Sequence, residues 1–246
     1  MEIIFLTLFP EQCRQYFLKG IFGKKAEEGL FSCRFVDLRD FASPPHRKVD
    51  SYPYGKRQGM LLRADVIQQA IKSIDYYRDY RLLYMCPKGR QMDQAMVQDL
   101  STQKGLIILS GYYEGVDERI FDLFDIERVS VGPLVLSSGD SPAALLAEAT
   151  LRLLPGVIEN PNSVADDSIL SHRLEAPHYT APVEVDGLEV PDLVRSGNHG
   201  KIDAWKQAES LRDTLFKQPT LFLESNGISQ SERDILTSIV KEQGHG

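Results

Sequence analysis

Apolar residues along this chain fall into short runs separated by helically spaced stretches. Ile3 to Leu8, Phe35 to Leu38, Leu82 to Cys86, Leu106 to Leu109 and Val129 to Val131 are each too brief for a helix and are bounded by polar or turn-forming residues. Continuous apolar runs are read as strands buried on both faces. With helical patterns between several of them, the order predicts an α/β fold: a mainly parallel sheet with helices on both faces. From Ser141 and Pro142, read as N-cap and first helical residue, Leu145, Leu146, Ala149 and Leu153 recur at helical spacing until Pro155 and Gly156 stop the helix. Residues 159–176, ENPNSVADDSILSHRLEA, show no period and read as a linker longer than most connections. Beyond it, Pro177, Pro182 and Pro191 and a Gly-rich turn precede an amphipathic helix from about Ile202 to Phe216. Ser231 and Glu232 open a further periodic run through Ile235, Ile239 and Val240. The pattern thus divides the chain into an α/β domain over 1–158 and a small, mainly helical domain over 177–246.

Composition narrows the class. In 246 residues, 42% apolar, there is enough material for a packed core. No apolar run approaches the roughly 20 residues that span a bilayer, and the opening MEIIFLTLFPEQ lacks the basic start and cleavage site of a signal peptide. A cytoplasmic protein with no membrane partner is expected. Cys13, Cys33 and Cys86 are odd in number and lack metal-ligand spacing, which points to buried thiols rather than a disulfide framework or a metal site.

A formal charge of −7 argues against non-specific nucleic-acid binding by the chain as a whole. The distribution changes that picture. His46, Arg47, Lys48, Lys56, Arg57 and Arg63 crowd one segment, followed by Arg78, Arg81, Lys88 and Arg90, while acids collect at 117–127 and after 184. Such a basic face either binds RNA or is simply solvated; charge alone leaves both open.

Three segments have the composition of ligand loops: Cys86-Pro87-Lys88-Gly89-Arg90, Gly111-Tyr112-Tyr113-Glu114-Gly115, and the stretch from Ser130 to Pro142. Each follows an apolar strand, so in a parallel sheet all three converge at the carboxyl edge, where open α/β sheets bind ligands. Neither G-x-G-x-x-G nor G-x-x-x-x-G-K-[ST] occurs, which disfavours a standard dinucleotide or P-loop site.

The stretch LSGYYEGVDERI resembles the signature L-C-G-R-Y-E-G-V-D-E-R-V of the bacterial tRNA (guanine-N1) methyltransferases, the TrmD family of SPOUT enzymes. HRKVDSYPYGKRQGMLL, SVGPLVLSSGDSPA, RLLPGVI, APHYTAPVEVDGLEVPDLVRSGNHGKI and the opening LTLFPE extend the resemblance over nearly the whole chain. It implies a deep trefoil knot at the C-terminal end of the α/β domain, a rare exception to unknotted topology. It also implies S-adenosyl-L-methionine as cofactor, tRNA with guanosine 37 as substrate, and a homodimer whose active sites are shared between subunits; no metal is demanded. By the same resemblance, Pro87, Gly111, Tyr113 and Glu114 contact the cofactor, with the backbone of Val131, Gly132, Pro133, Leu134, Val135 and Leu136, and with Gly139 and Pro142. Asp167 matches the family's catalytic aspartate, the general base for guanine N1, and Arg152 its arginine, which stabilises charge developing toward O6. Asp50, Tyr54, Arg57, His178, Tyr179, Asn198, His199, Lys201, Trp205 and Arg212 are candidates for the RNA surface, though Trp205 reads equally well as helix core.

Several positions depart from the family. Its P-Y-G-G-G-x-G-M loop is Pro53-Tyr54-Gly55-Lys56-Arg57-Gln58-Gly59-Met60 here, the arginine of G-R-Y-E-G is Tyr112, and an acid of the third loop is Pro133. The D-G-L-L-D segment is replaced by 170–175, LSHRLE. Two readings follow: an enzyme of the same reaction in which Arg57 supplies the cation lost at Tyr112, or a knotted protein that binds RNA or a nucleotide-like ligand without methylating guanosine 37, or that methylates another RNA position. The retained Arg152, Asp167 and Glu114 favour the enzyme, since a binding protein needs no positioned base.

Overall fold

A computed structural model of the chain describes residues 1–55, 59–158, 171–225 and 227–243. Contacts divide it into two compact units, Met1–Glu159 and Asn160–Gly246.

The first unit is built on a five-stranded parallel sheet. Its strands are β1 (Glu2–Thr7), β2 (Ser32–Asp37), β5 (Arg81–Gln91), β6 (Gly105–Ser110) and β7 (Ile126–Ser130), in the order β2-β1-β6-β5-β7. A two-stranded antiparallel ribbon, β3 (Asp50–Ser51) and β4 (Leu61–Leu62), lies outside it. The apolar runs become strands because alternate residues enter opposite cores. Ile4 and Leu6 of β1, Leu82 and Tyr84 of β5, and Ile107 and Leu109 of β6 pack on one face, with α3 (Ala64–Lys72) and α5 (Ile120–Leu123). Ile3 and Phe5, Leu83 and Met85, and Leu106 and Ile108 pack on the other. There they meet α1 (Pro10–Phe17), α2 (Gly20–Glu27), α4 (Gln94–Ser101) and α6 (Asp140–Arg152). Helices on both faces explain why these strands are apolar at every position rather than at every second one.

Two local expectations are corrected. The α6 helix opens at Asp140 with Gly139 as its cap, not at Pro142 behind Ser141, because the buried Asp140 carboxylate is held by Thr7 Oγ1 at 2.6 Å and Ser138 Oγ at 3.2 Å. Residues 86–89 of the expected loop 86–90 do not follow β5 as a free loop. They are a bulge within it: Met85 and Arg90 both register with Val129 of β7, so the chain leaves the ladder and returns. Gly89 permits the return, since a Cβ there would lie 2.3 Å from the Val129 nitrogen.

In the second unit, a hairpin of β8 (Glu184–Val185) and β9 (Leu188–Glu189) turns at Asp186-Gly187, both at positive φ, and precedes α7 (Asp192–Arg195). The long helix α8 (His199–Lys217) follows, then α9 (Thr220–Glu224) and α10 (Gln230–Gln243). The Asn198 side chain caps α8 by accepting the Lys201 N–H at 3.2 Å. Ser229 and Glu232 cap α10 reciprocally: the Glu232 carboxylate accepts the Ser229 N–H at 2.8 Å, and Ser229 Oγ accepts the Glu232 N–H at 3.3 Å. The hairpin and α9 had no apolar period to announce them, being too short to show one.

Candidate active site

The three ligand segments converge at the carboxyl ends of β5, β6 and β7. They enclose a cleft of about 320 Å³, lined by Tyr84 to Lys88, Gly111 to Val116, and Val129 to Gly132 with Leu134 and Ser137 to Gly139. Glu118, Phe121, Arg128, Leu136 and Pro142 complete the wall.

The loop after β6 owes its shape to its glycines. Gly111 passes so close to Tyr84 that a Cβ would sit 2.9 Å from the phenol oxygen, and Gly115 takes φ +124°. Tyr113 between them is left-handed at φ +57°, a conformation costly for an aromatic residue unless its surroundings enforce it. The loop is tied outward by the Glu114 N–H, which donates to the Met60 carbonyl at 3.0 Å. It is tied inward by the Gly139 N–H, which donates to the Gly111 carbonyl at 2.7 Å. A Cβ on Gly139 would lie 2.5 Å from the Gly111 nitrogen, so the third segment can run against the second only because that position is glycine.

The third segment presents backbone rather than side chains. The Leu134 N–H bonds the Gly132 carbonyl at 2.9 Å, and among the described residues the N–H groups of Val135 and Leu136 have no backbone partner. Pro133 and Val135 are exposed and outside the cleft lining; the other positions assigned to the cofactor, Pro87, Gly111, Tyr113, Glu114, Val131, Gly132, Leu134, Leu136, Gly139 and Pro142, line it.

Charges at the wall are mixed. Arg128 pairs with Glu118 and lies 3.7 Å from the Phe121 ring centroid. Lys88 and Glu114 are exposed. Burial pushes the Tyr84 phenol far above its ordinary range, keeping that wall neutral. Burial first and neighbouring Asp50 second push up the Tyr113 phenol. Asp50, on β3, therefore sits beside the loop after β6. Tyr84, Phe121, Glu118 and Arg128 were not singled out from sequence. For Tyr84 a signal existed, because it shares strand parity with Cys86; for Phe121 and Arg128 only the packing of α5 against β7 brings them to the cleft.

The remaining candidates are spread. Arg152 is exposed in the last turn of α6, whereas Gly139 and Pro142 at the opposite end line the cleft. A helix rising 1.5 Å per residue separates Arg152 from that first turn by roughly 18 Å. Asp167 and Arg57 lie outside the described residues. Tyr54 is 98% exposed. His178, Tyr179, Asn198, His199, Lys201 and Arg212 belong to the second unit, with the Tyr179 ring 6.3 Å from Trp205. There His178 faces Glu175 at 3.3 Å and Arg212 lies 3.5 Å from Glu209. The basic segment of the first unit is partly neutralised within itself: Arg47 pairs with Asp40, Arg63 with Asp65, Arg81 with Asp99 and Glu127, and Arg90 with Asp93.

Among the described residues no helix is long and apolar enough to cross a membrane.

Comparison with known proteins agrees with this geometry. The family described as tRNA (Guanine-1)-methyltransferase TrmD matches residues 1–224. A tRNA (guanine-N(1)-)-methyltransferase of Staphylococcus carnosus is 37% identical over 242 residues, 98% of both chains. That of Shouchella clausii is 39% identical over 245 residues, 99% of this chain and 100% of the relative. That of Dictyoglomus turgidum is 37% identical over 242 residues, 98% of both. With matches of this length, and with the family's loop segments converging on one cleft, the chain belongs to the TrmD family of tRNA (guanine-N1)-methyltransferases.

Proposed function

We propose that this chain transfers the methyl group of S-adenosyl-L-methionine to N1 of guanosine 37 in tRNA. The observation that carries the reading is the cleft at the ends of β5, β6 and β7, formed by the same three segments that the resemblance assigns to the cofactor. The cleft fits such a ligand. Its size is that of small-molecule sites. Apolar walls from Leu134, Leu136 and Pro142 suit an adenine face, and the amide of Leu136 is available to its edge. The closeness of Gly111 and Gly139 leaves no room for side chains where the cofactor loops cross.

When bound, the cofactor supplies an activated methyl on a sulfonium centre. The protein's own tasks are orientation and proton removal. Guanine N1 is protonated at neutral pH, so a carboxylate must accept its proton as the methyl arrives; Asp167 has that role. Negative charge moving to O6 is stabilised by the guanidinium of Arg152. Because the chain's own α6 carries Arg152 away from its cleft, we assign the working form to a homodimer, in which a second copy brings its Arg152 end to this site. Leu145, half exposed on α6, suits a covered position in such a dimer. The contact of Gly139 with Gly111 is consistent with the chain threading as a trefoil knot there. RNA contacts are assigned to Tyr179, His199, Lys201 and Arg212 of the second unit and to Asp50 and Tyr54 of the first, with Arg57 outside the described residues.

The test is transfer of labelled methyl to a tRNA transcript carrying guanosine 37, beside the same transcript with adenosine there, with primer extension to locate the mark. Label at guanosine 37 alone is expected. Cofactor binding without transfer would overturn the reading in favour of a binding protein.

A further inference from the structure

Tyr112 stands where the family carries arginine, and its ring is built into a stack that leads away from the cleft. It tilts against Phe9 with centroids 5.2 Å apart, and the guanidinium of Arg39 covers the Phe9 ring at 5.3 Å. Arg39 is itself fixed by the Leu8 carbonyl and by Asp37 at 3.5 Å. On its other side Tyr112 meets Tyr113 edge to face, with centroids 5.1 Å apart and planes at 89°. Tyr112 is partly buried and packs on the core, whereas Tyr113 is 45% exposed at the cleft.

We propose that Tyr112 is a positioning residue: sandwiched between Phe9 and Tyr113, it enforces the left-handed backbone of Tyr113 and aims that ring into the cleft. This rests on the methyl-transfer reading and deepens it. Two features carry it. A left-handed tyrosine persists only where neighbours over-determine it, and the neighbour here is a ring locked from behind by Phe9 and Arg39. The edge-to-face geometry is also specific to a pair of rings, because it follows from the ring quadrupole and not from apolar area alone. The departure at 112 is thereby compensated by stacking. Arg39, on the 3-10 turn Leu38–Phe41 after β2, closes the far end of that stack over the Phe9 ring.

The test uses the full chain, with Tyr112→Leu, Tyr112→Phe and Phe9→Leu. Methyl transfer to tRNA gives kcat and KM, and thermal unfolding gives Tm. Misaimed reacting groups lower kcat more than they weaken binding of a large substrate. Tyr112→Leu is expected to lower kcat by about tenfold or more while the KM for tRNA stays within about threefold. Tyr112→Phe, which keeps the ring, restores most of the lost rate. Phe9→Leu reproduces the leucine defect, and the double variant Phe9→Leu/Tyr112→Leu falls no further than either, as for members of one unit. Should Tyr112→Leu fail to fold, Phe9→Leu and Tyr112→Phe carry the same comparison. A Tyr112→Leu rate within twofold of the parent, or equal losses in the leucine and phenylalanine variants, overturns the role while leaving the transfer reading intact. A parent chain that transfers no methyl removes the reaction and this role together.

Discussion

At the scale of single residues, the segments around the cleft are held by a few contacts that sequence spacing does not announce. Thr7, at the end of β1, donates its hydroxyl to Asp140 across 133 positions, and both are buried. Removing that donor leaves a buried carboxylate oxygen short of a partner, a loss of about 1–3 kcal/mol. Thr7→Val is therefore expected to lower Tm by several degrees in a thermal scan and to weaken S-adenosylmethionine binding in calorimetry, because Asp140 also anchors Ser138 in the third segment. An unchanged Tm would show that Ser138 or solvent satisfies Asp140 alone. At Gly139 the arithmetic is steric: a methyl group 2.5 Å from a backbone nitrogen has no flexible neighbour to displace. Gly139→Ala should abolish cofactor binding at concentrations that saturate the parent, and retained binding would mean the segments can separate.

At the scale of elements, α10 is fastened to the chain that enters the second unit. The Arg173 Nε donates to Glu232 at 3.0 Å, its Nη1 to the His172 carbonyl at 2.7 Å, and its guanidinium covers the Phe222 ring of α9 at 4.5 Å. The Leu174 N–H donates to Thr214 Oγ1 of α8 at 2.8 Å. Burial by itself would raise the Glu232 carboxyl, but hydrogen bonds from the Ser229 N–H and hydroxyl and from Arg173 outweigh it, and the net shift is downward. A depressed carboxylate stabilises the fold above the unfolded-state value, and that contribution is lost as pH falls through the lower folded-state value. Glu232→Gln should cost about 1–3 kcal/mol at pH 7 and leave a chain whose stability falls less steeply with acid below about pH 4.5. Equal acid sensitivity in parent and variant, read by denaturant titration, would remove Glu232 from the pH response. The residues of this fastening sit where the family's D-G-L-L-D segment is replaced, so that departure is spent on anchoring helices of the second unit.

At the scale of the whole molecule, the separation of Arg152 from its own cleft along α6 makes a shared site testable without any structure of an assembly. A variant disabled at the crossing of the loops, Gly139→Ala, and one disabled at the far end of α6, Arg152→Ala, are each expected to be inactive alone. Mixed and allowed to exchange subunits, they should recover about a quarter of parental activity, since half the dimers would be mixed and each would hold one complete site of two. No recovery after confirmed exchange would place Arg152 and the Gly139 segment of a site on one chain.

Much of this was legible in the sequence because it depends on local periodicity and on short motifs. The five strands of the parallel sheet, α6, α8 and α10 follow from runs and spacings that a buried strand or an amphipathic helix cannot avoid. The convergence of the three loop segments follows from parallel strands sharing one carboxyl edge. What tertiary structure alone decided are the pairings between residues remote in sequence: Thr7 with Asp140, Gly139 against Gly111, Phe9 against Tyr112, and Arg128 over Phe121. It also turned an expected loop into a bulge at 86–89, because β7 offers ladder partners on both sides of it. Periodicity records which side of an element is apolar; which partner meets that side is set by the order of strands in the sheet, and no window of sequence contains it.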